Sequence, residues 1–337
     1  MPKWVLPVAA GGAAAAVVLY VAYKRMSKEL TYTVLKLEDS TTTTAIIESF
    51  TSDPKFQALA NAETADILKR DAEDDDKLAA GIKMAIAKGV LAANPPVEPL
   101  TKIDVLGKSA DAVASMIIAK LGDAPQKGCV FILQGLSGTG KGTTVAKLQS
   151  TLPKAVAWSN GNVFRSLTLL AVTKCEQTGI AFGEAALTPA LLGECMKYLH
   201  FGKFKNGDFD IKIEGLGLSL LVSEVANTTL KEPKVGKNIP TVAKMTQGEV
   251  ISFAAGAAEQ MRADGFNVLM EGRSQTLDYV RTPHRFELTL SEPNLIGMRR
   301  AAQRMMGEAL KALKAEAEPT PARVRSALAA ALAAMSC

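Results

Sequence analysis

The stretch CVFILQGLSGTGKGTTVAKL, Cys129 to Leu148, constrains the fold more than any other part of this chain. A short, mostly apolar run ends in a glycine, a small polar loop follows, and a helix-like segment begins at once. An apolar run of that length suits a strand buried on both faces, as in a parallel sheet. Glycines in the loop let successive backbone N–H groups converge on an anion, and the following helix start adds its positive dipole end. Strand, glycine loop and helix in this order predict an α/β fold with a phosphate cradle at the sheet's end. A glycine-rich turn with no ligand is the plain alternative.

The rest of the chain fits such a fold. With 337 residues, 48% of them hydrophobic and 22% charged, there is material for one large domain or two smaller ones. The net charge of +5 is spread along the chain, which argues against a nucleic-acid face and leaves phosphate ligands or a membrane surface. Cys129, Cys175, Cys195 and Cys337 form no CxxC pair and no zinc spacing, so packed, reduced thiols are expected. His200 and His284 are read as structural or exposed, and Met298, Met305 and Met306 as helix packing.

From Lys127 onward strands and helices alternate. AVAWSNG (155–161), FNVLMEG (266–272) and RFELTL (285–290) read as further strands, with a helix over NVFRSLTLLAVTKC (162–175). DFDIKIEGLGLSLLVSEV (208–225) reads as a hairpin outside the main sheet, EVISFAAGAAEQMRADG (249–265) as a helix ending at glycine, and LIGMRRAAQRMMGEALKALKAE (295–316) as a long helix. This order predicts a parallel sheet with helices on both faces. Upstream, SDPKFQALANAETADILKR (52–70) and DDKLAAGIKMAIAKGVLAA (75–93) read as two helices, with Ser52 or Asp53 as cap and Pro54 in the first turn. DAEDDDK (71–77) between them reads as a solvated acidic face or loop and not as a metal site. NPPVEPL (94–100) reads as a linker, followed by a helix over SADAVASMIIAKLG (109–122).

The N-terminus carries an uncharged run, Trp4 to Tyr23, about one bilayer thickness long as a helix. Trp4, Tyr20 and Tyr23 sit near its ends. Lys24, Arg25 and Lys28 follow it, against Lys3 and the amino terminus before it, which directs the bulk of the chain to the positive-inside face. A cleaved signal peptide is the alternative; basic residues lying mainly after the run favour a retained anchor. Gly12 and Ala16, four apart, permit close approach of another helix. The organisation expected is a transmembrane helix in 1–28, a helical extension in 29–126 and a nucleotide-binding domain in 127–337. The expected location is a single-pass membrane protein on the matrix side of a mitochondrial inner membrane, or on the equivalent face of another organelle membrane.

GLSGTGKGT satisfies GxxxxGK, but Gly142 stands where Ser or Thr usually follows the lysine, and Thr143 supplies the next hydroxyl. This loop, with SNGNVFRSLTLLA (159–171), EVAN (224–227) and VLMEGRSQTLDYVRTPHRFELTL (268–290), resembles the cytidylate kinase-like branch of the P-loop nucleoside monophosphate kinases. The resemblance covers scattered blocks between about residues 127 and 306. It implies a P-loop NTPase fold with ATP and Mg²⁺ as cofactors. Gly135, Ser137, Gly138, Thr139, Gly140, Lys141, Gly142, Thr143 and Thr144 would hold the donor triphosphate. Arg165 and Arg273 would face the acceptor, Arg300 and Arg304 would act from the lid helix beside Arg299, and Thr143 and Glu271 would serve the metal. The plainer readings are a surface Arg165 and a Glu271–Arg273 ion pair.

Three departures bear on activity. Ser274 stands where the family has an aspartate after Gly-Arg, and Leu221 where an acceptor-binding arginine is usual. After the lid helix the family continues with an Asp/Arg-rich run, a strand and a helix, whereas this chain reads PTPARVRSALAAALAAMSC (319–337). Phosphoryl transfer rests on cationic stabilisation, and a single arginine can contribute about 10³- to 10⁵-fold in rate. Arg323 and Arg325 are the candidate replacements. The expectation is therefore a membrane-anchored, nucleotide-binding accessory subunit with weak or no turnover. Its partners would be a nucleotide, the membrane through residues 4–23 and other membrane subunits, but no nucleic acid. The alternative is an active ATP-dependent CMP or pyrimidine monophosphate kinase; a nucleotide-sensing regulator is a weaker third reading.

Overall fold

The structure, a computed structural model, describes residues 30–106, 108–292 and 294–335. The apolar run 4–23 and Cys337 lie outside these residues, and among the described residues no helix is long and apolar enough to cross a membrane. The chain forms two compact units, one of residues up to Leu68 together with those from Glu292 onward, the other Lys69–Ser291. This division runs differently from the boundary at residue 127 that the composition suggests.

In chain order, the helices of nine residues or more begin with α1 (Ser40–Phe50), α2 (Pro54–Ala87), α3 (Ala110–Leu121) and α4 (Lys141–Thr151). They continue with α5 (Asn160–Thr178), α6 (Pro189–Lys197), α7 (Ile239–Ala263), α8 (Asn294–Leu313) and α9 (Pro321–Met335). The first strands are β1 (Thr101–Asp104), β2 (Val130–Gly135), β3 (Ala155–Trp158) and β4 (Leu199–Lys203). The remaining strands are β5 (Phe209–Gly215), β6 (Leu218–Leu221), β7 (Asn267–Gly272) and β8 (Arg285–Thr289).

The first unit is helical. Phe56, Leu59 and Ala60 of α2 pack with Ile46 of α1, with Ala301, Met305 and Ala309 of α8, and with Val324 and Leu328 of α9. The methionines of α8 are core residues as expected: Met305 and Met306 are buried and Met298 packs beside them.

The second unit is an α/β layer structure. Its five strands run parallel in the order β1-β8-β2-β7-β3. Alternation along β2 explains why helices cover both faces. Val130 and Ile132 join one core, with Leu167 and Leu170 of α5 and Val250 and Ala254 of α7. Phe131 and Leu133 join the other, with Val113 and Ile117 of α3 and Val145 and Leu148 of α4. A second, antiparallel sheet of order β4-β5-β6 contains the expected hairpin plus one strand, β4, not among the expected ones.

Two differences from the sequence reading matter for function. No strand follows Thr289 among the described residues, yet the sheet still has a fifth member beside β8. It comes from upstream: Thr101–Asp104 pairs with Phe286–Thr289, and α3 follows it. Its brevity and the neighbouring prolines hid it; Ile103 is its one fully buried side chain. The second difference is that the two expected upstream helices are one. α2 runs unbroken through DAEDDDK because no proline or glycine interrupts positions 55–80. A helix carries one face inward, and residue Asp71 falls on it: the acidic run is not solvated throughout, since Asp71 is 3% exposed.

Candidate functional site

The site forms where β2 ends, in the middle of the parallel sheet, a place where α/β sheets commonly bind ligands. Gly135 leaves the strand with φ +148°, and a Cβ there would stand 2.6 Å from the Leu288 carbonyl oxygen of the neighbouring β8. Only glycine lets the chain turn at that register. Gly138 and Gly140 take φ +84° and +85°, the left-handed region that glycine enters without penalty. Gly140 is also the N-cap of α4 and supplies no side-chain cap. The first-turn amides of a helix so begun point outward with no internal partner.

The loop's own side chains brace it. Thr139 Oγ1 donates to the Leu136 carbonyl at 2.9 Å, and Thr143 Oγ1 to the Gly140 carbonyl at 2.9 Å. Thr144 is buried beneath, its amide donating to Gly140 O at 3.0 Å. Lys141 curls back over the loop, its Nζ donating to Gly135 O at 2.6 Å and to Leu136 O at 2.9 Å. Burial lowers the Lys141 pKa, and nearby Arg273 lowers it further, against Glu271 and Asp71, which raise it. These four charged groups thus share one field. At Gly142, a Cβ would meet nothing within 4 Å, so space does not account for the missing hydroxyl there.

Arg273 follows β7, one residue beyond Gly272. Its Nη2 donates to Asp71 Oδ1 at 2.7 Å, and its Nε lies 3.7 Å from Asp75. The Glu271–Arg273 ion pair is not formed; Asp71 takes Glu271's place in it, and Glu271 is exposed at the strand end. Asp71 also accepts from the loop itself: Ser137 N donates to Oδ2 at 3.0 Å and Ser137 Oγ to Oδ1 at 2.7 Å. Burial alone would raise this carboxyl, but the hydrogen bonds from Arg273 and Ser137 outweigh it and lower its pKa to about 2. Asp71 was legible in one respect. Ile67, Asp71, Asp75, Leu78 and Ile82 recur at helical spacing, which puts two acids on the face that carries three apolar residues.

Arg165 lies in the second turn of α5, partly exposed. It makes one weak contact, Nη1 to Asn162 Oδ1 at 3.4 Å, and no ion pair among the described residues. Gln134, in register with Gly272, holds a buried Oε1 without a hydrogen-bond partner.

Within the second unit the structure therefore brings Lys141, Glu271 and Arg273 together with the loop from Gly135 to Thr144. The lid arginines belong to the first unit and are engaged there. Arg304 pairs with Glu63, and Arg300 stands 3.9 Å from the same carboxylate. Burial lowers the Arg299 pKa. Arg323 pairs with Glu316 at 2.7 Å, and Arg325 lies over the Phe50 ring.

Cys129, Cys175 and Cys195 are buried and unpaired, with burial pushing Cys129 up to about 11. No group of three metal-ligating side chains occurs among the described residues. His200 is exposed on β4, and His284 lines a separate cavity of about 380 Å³ at the opposite ends of the strands, with Lys127, Glu259 and Arg262.

No protein-family model matches the chain, and no curated protein matches its sequence significantly. Fold and site define an α/β protein with a five-stranded parallel sheet flanked by helices and a glycine loop at the end of its central strand.

Proposed function

We propose that this chain is a P-loop, nucleoside monophosphate kinase-like protein that binds ATP with Mg²⁺ and turns it over weakly or not at all, serving as an accessory subunit of a membrane complex. The observation that carries the nucleotide-binding part is the loop itself. Three glycines at positive φ, an uncapped helix start and a half-buried lysine folded across the turn converge at the end of the central strand. Backbone amides and a helix dipole aimed at one point favour a polyanion, and the lysine supplies a point charge for its terminal phosphates. Thr143, with its hydroxyl at the helix start, and Glu271 at the end of β7 are the groups available to a magnesium ion and its waters.

Weak turnover follows from charge. A transferring phosphoryl group needs several cations placed around it. Arg300 and Arg304 are tied to Glu63, and Arg323 to Glu316. Ser274 and Leu221 leave two acceptor contacts unfilled. The membrane part of the proposal rests on the uncharged run 4–23 and its basic flank. Base identity belongs to the alternative reading, an active CMP or pyrimidine monophosphate kinase, which is favoured by Arg165, a guanidinium free of carboxylate partners on α5.

Two measurements test this. A coupled ADP-release assay with a panel of nucleoside monophosphates should show ATP bound but little turnover above background; brisk turnover with one acceptor would replace the accessory reading by the kinase reading. Extracted from its native membrane in mild detergent, the protein should migrate in an assembly larger than itself. Migration as a single chain would end the accessory reading.

A further inference from the structure

Asp71 sets a carboxylate against a loop whose glycines and lysine suit an anion. It reaches the loop from α2, far away in sequence. Its two oxygens accept from three donors: the Ser137 amide at 3.0 Å, the Ser137 hydroxyl at 2.7 Å and Arg273 Nη2 at 2.7 Å. A guanidinium, an amide and a hydroxyl are also the donors that a phosphate group prefers. Two consequences follow from the geometry. The Ser137 end of the loop is already occupied and the Thr139 amide donates to Leu136 O at 3.4 Å, so an arriving polyphosphate is left the amides of Gly138 and of Gly140 to Thr143. Arg273 is held by one Nη on Asp71, with its Nε 3.7 Å from Asp75, at a place beside the loop.

We propose that Asp71 is a positioning residue of this site, which fixes Arg273 against the glycine loop and closes the loop's Ser137 end to phosphate. The proposal rests on the reading of the loop as a phosphate cradle. A solely structural Asp71 would stabilise the whole unit. A positioning Asp71 instead acts locally, on the mobility of two segments and on acceptor binding, and it slightly opposes the donor because it adds negative charge near it. Preorganised placement of a charged group is what allows it to act at low entropic cost when the ligand arrives.

The experiment uses the full chain with Asp71→Asn, which keeps the shape of the side chain, and Asp71→Ala. Hydrogen exchange without nucleotide is followed in peptides covering 135–143 and 267–277. In Asp71→Ala, amides at Ser137 and around Arg273 should exchange about ten-fold faster or more, while the interior of β2 and β7 stays unchanged. In Asp71→Asn, Mg·ATP affinity should be kept or slightly increased, and CMP affinity should fall about ten-fold or more. Unchanged exchange in both peptides overturns the proposal, as does faster exchange throughout the unit or loss of ATP binding in Asp71→Asn. The exchange measurement needs no ligand. A wild-type chain that binds neither ATP nor CMP therefore sinks the phosphate reading, and this proposal with it. Ligand binding by the wild type with unaltered exchange in the variants sinks this proposal alone.

Discussion

Lys141→Ala should lower the affinity for Mg·ATP by about 10- to 100-fold, the value of one charge-assisted hydrogen bond at about 1.5–3 kcal/mol. The side chain now spends its ammonium on two carbonyls of its own loop, Gly135 and Leu136. Both contacts are exchangeable: a terminal phosphate offers a full negative charge where the carbonyls offer only dipoles. Burial already lowers the lysine's pKa, so the charged form gains by acquiring a doubly charged partner. Loop amides and the α4 dipole remain in the variant, which is why the loss should be partial and the fold should survive. Titration calorimetry of the wild type, Lys141→Ala and Lys141→Arg checks this. An affinity unaffected by removal of the lysine would show that nucleotide, if bound, sits elsewhere.

A second large effect should appear in the first unit. Gly297, at the start of α8, packs so closely on α2 that an added Cβ would overlap the Ala60 carbonyl oxygen and the Thr64 hydroxyl and stand 2.8 Å from the Thr64 amide nitrogen. Two of these three atoms are backbone of a continuous helix and cannot swing aside. Overpacking of this kind costs about 1–3 kcal/mol and sometimes more. Against it stands the better helix propensity of alanine, about 1 kcal/mol. Because the atoms met are mostly backbone, the clash falls at the upper end of that range or above, and net of the propensity gain Gly297→Ala should destabilise by about 2 kcal/mol or more. Gly307, on the same helix, is the matched control: nothing lies within 4 Å of its Cβ position. Gly307→Ala should therefore be neutral or stabilising by up to about 1 kcal/mol. Urea denaturation of the two variants decides it; equal effects at both positions would mean that the α2–α8 approach is looser than described.

The contrast between these sites also shows what could be read in advance. The strands of the main sheet downstream of Lys127 were visible because buried parallel strands are short apolar runs bounded by glycine or polar residues. The long helices α5 and α8, and α7 from Glu249 onward, were visible through their periodicity and their glycine or proline punctuation; the first ten residues of α7 were not. The loop was legible to the residue, since Gly135, Gly138 and Gly140 occupy conformations that other residues resist. β1 was not legible: a four-residue edge strand with one fully buried side chain has almost no pattern to detect. Nor was the continuity of α2, because a cluster of like charges signals solvent but does not break a helix. Arg285 makes the same point: read as part of a plain apolar strand, it is a buried arginine paired with Asp278.

What the sequence alone determined is therefore local: which segments extend, which coil, and where glycine must turn the chain after the central strand. Such features depend on neighbours a few residues apart, whose sterics and periodicity travel with the chain. The tertiary structure alone decided that a strand from ahead of the loop completes the sheet's edge, and that Asp71 meets Arg273 across 202 residues of sequence. Partners so distant are chosen by the order in which strands and helices stack to bury their apolar faces, and no spacing along the chain encodes that order.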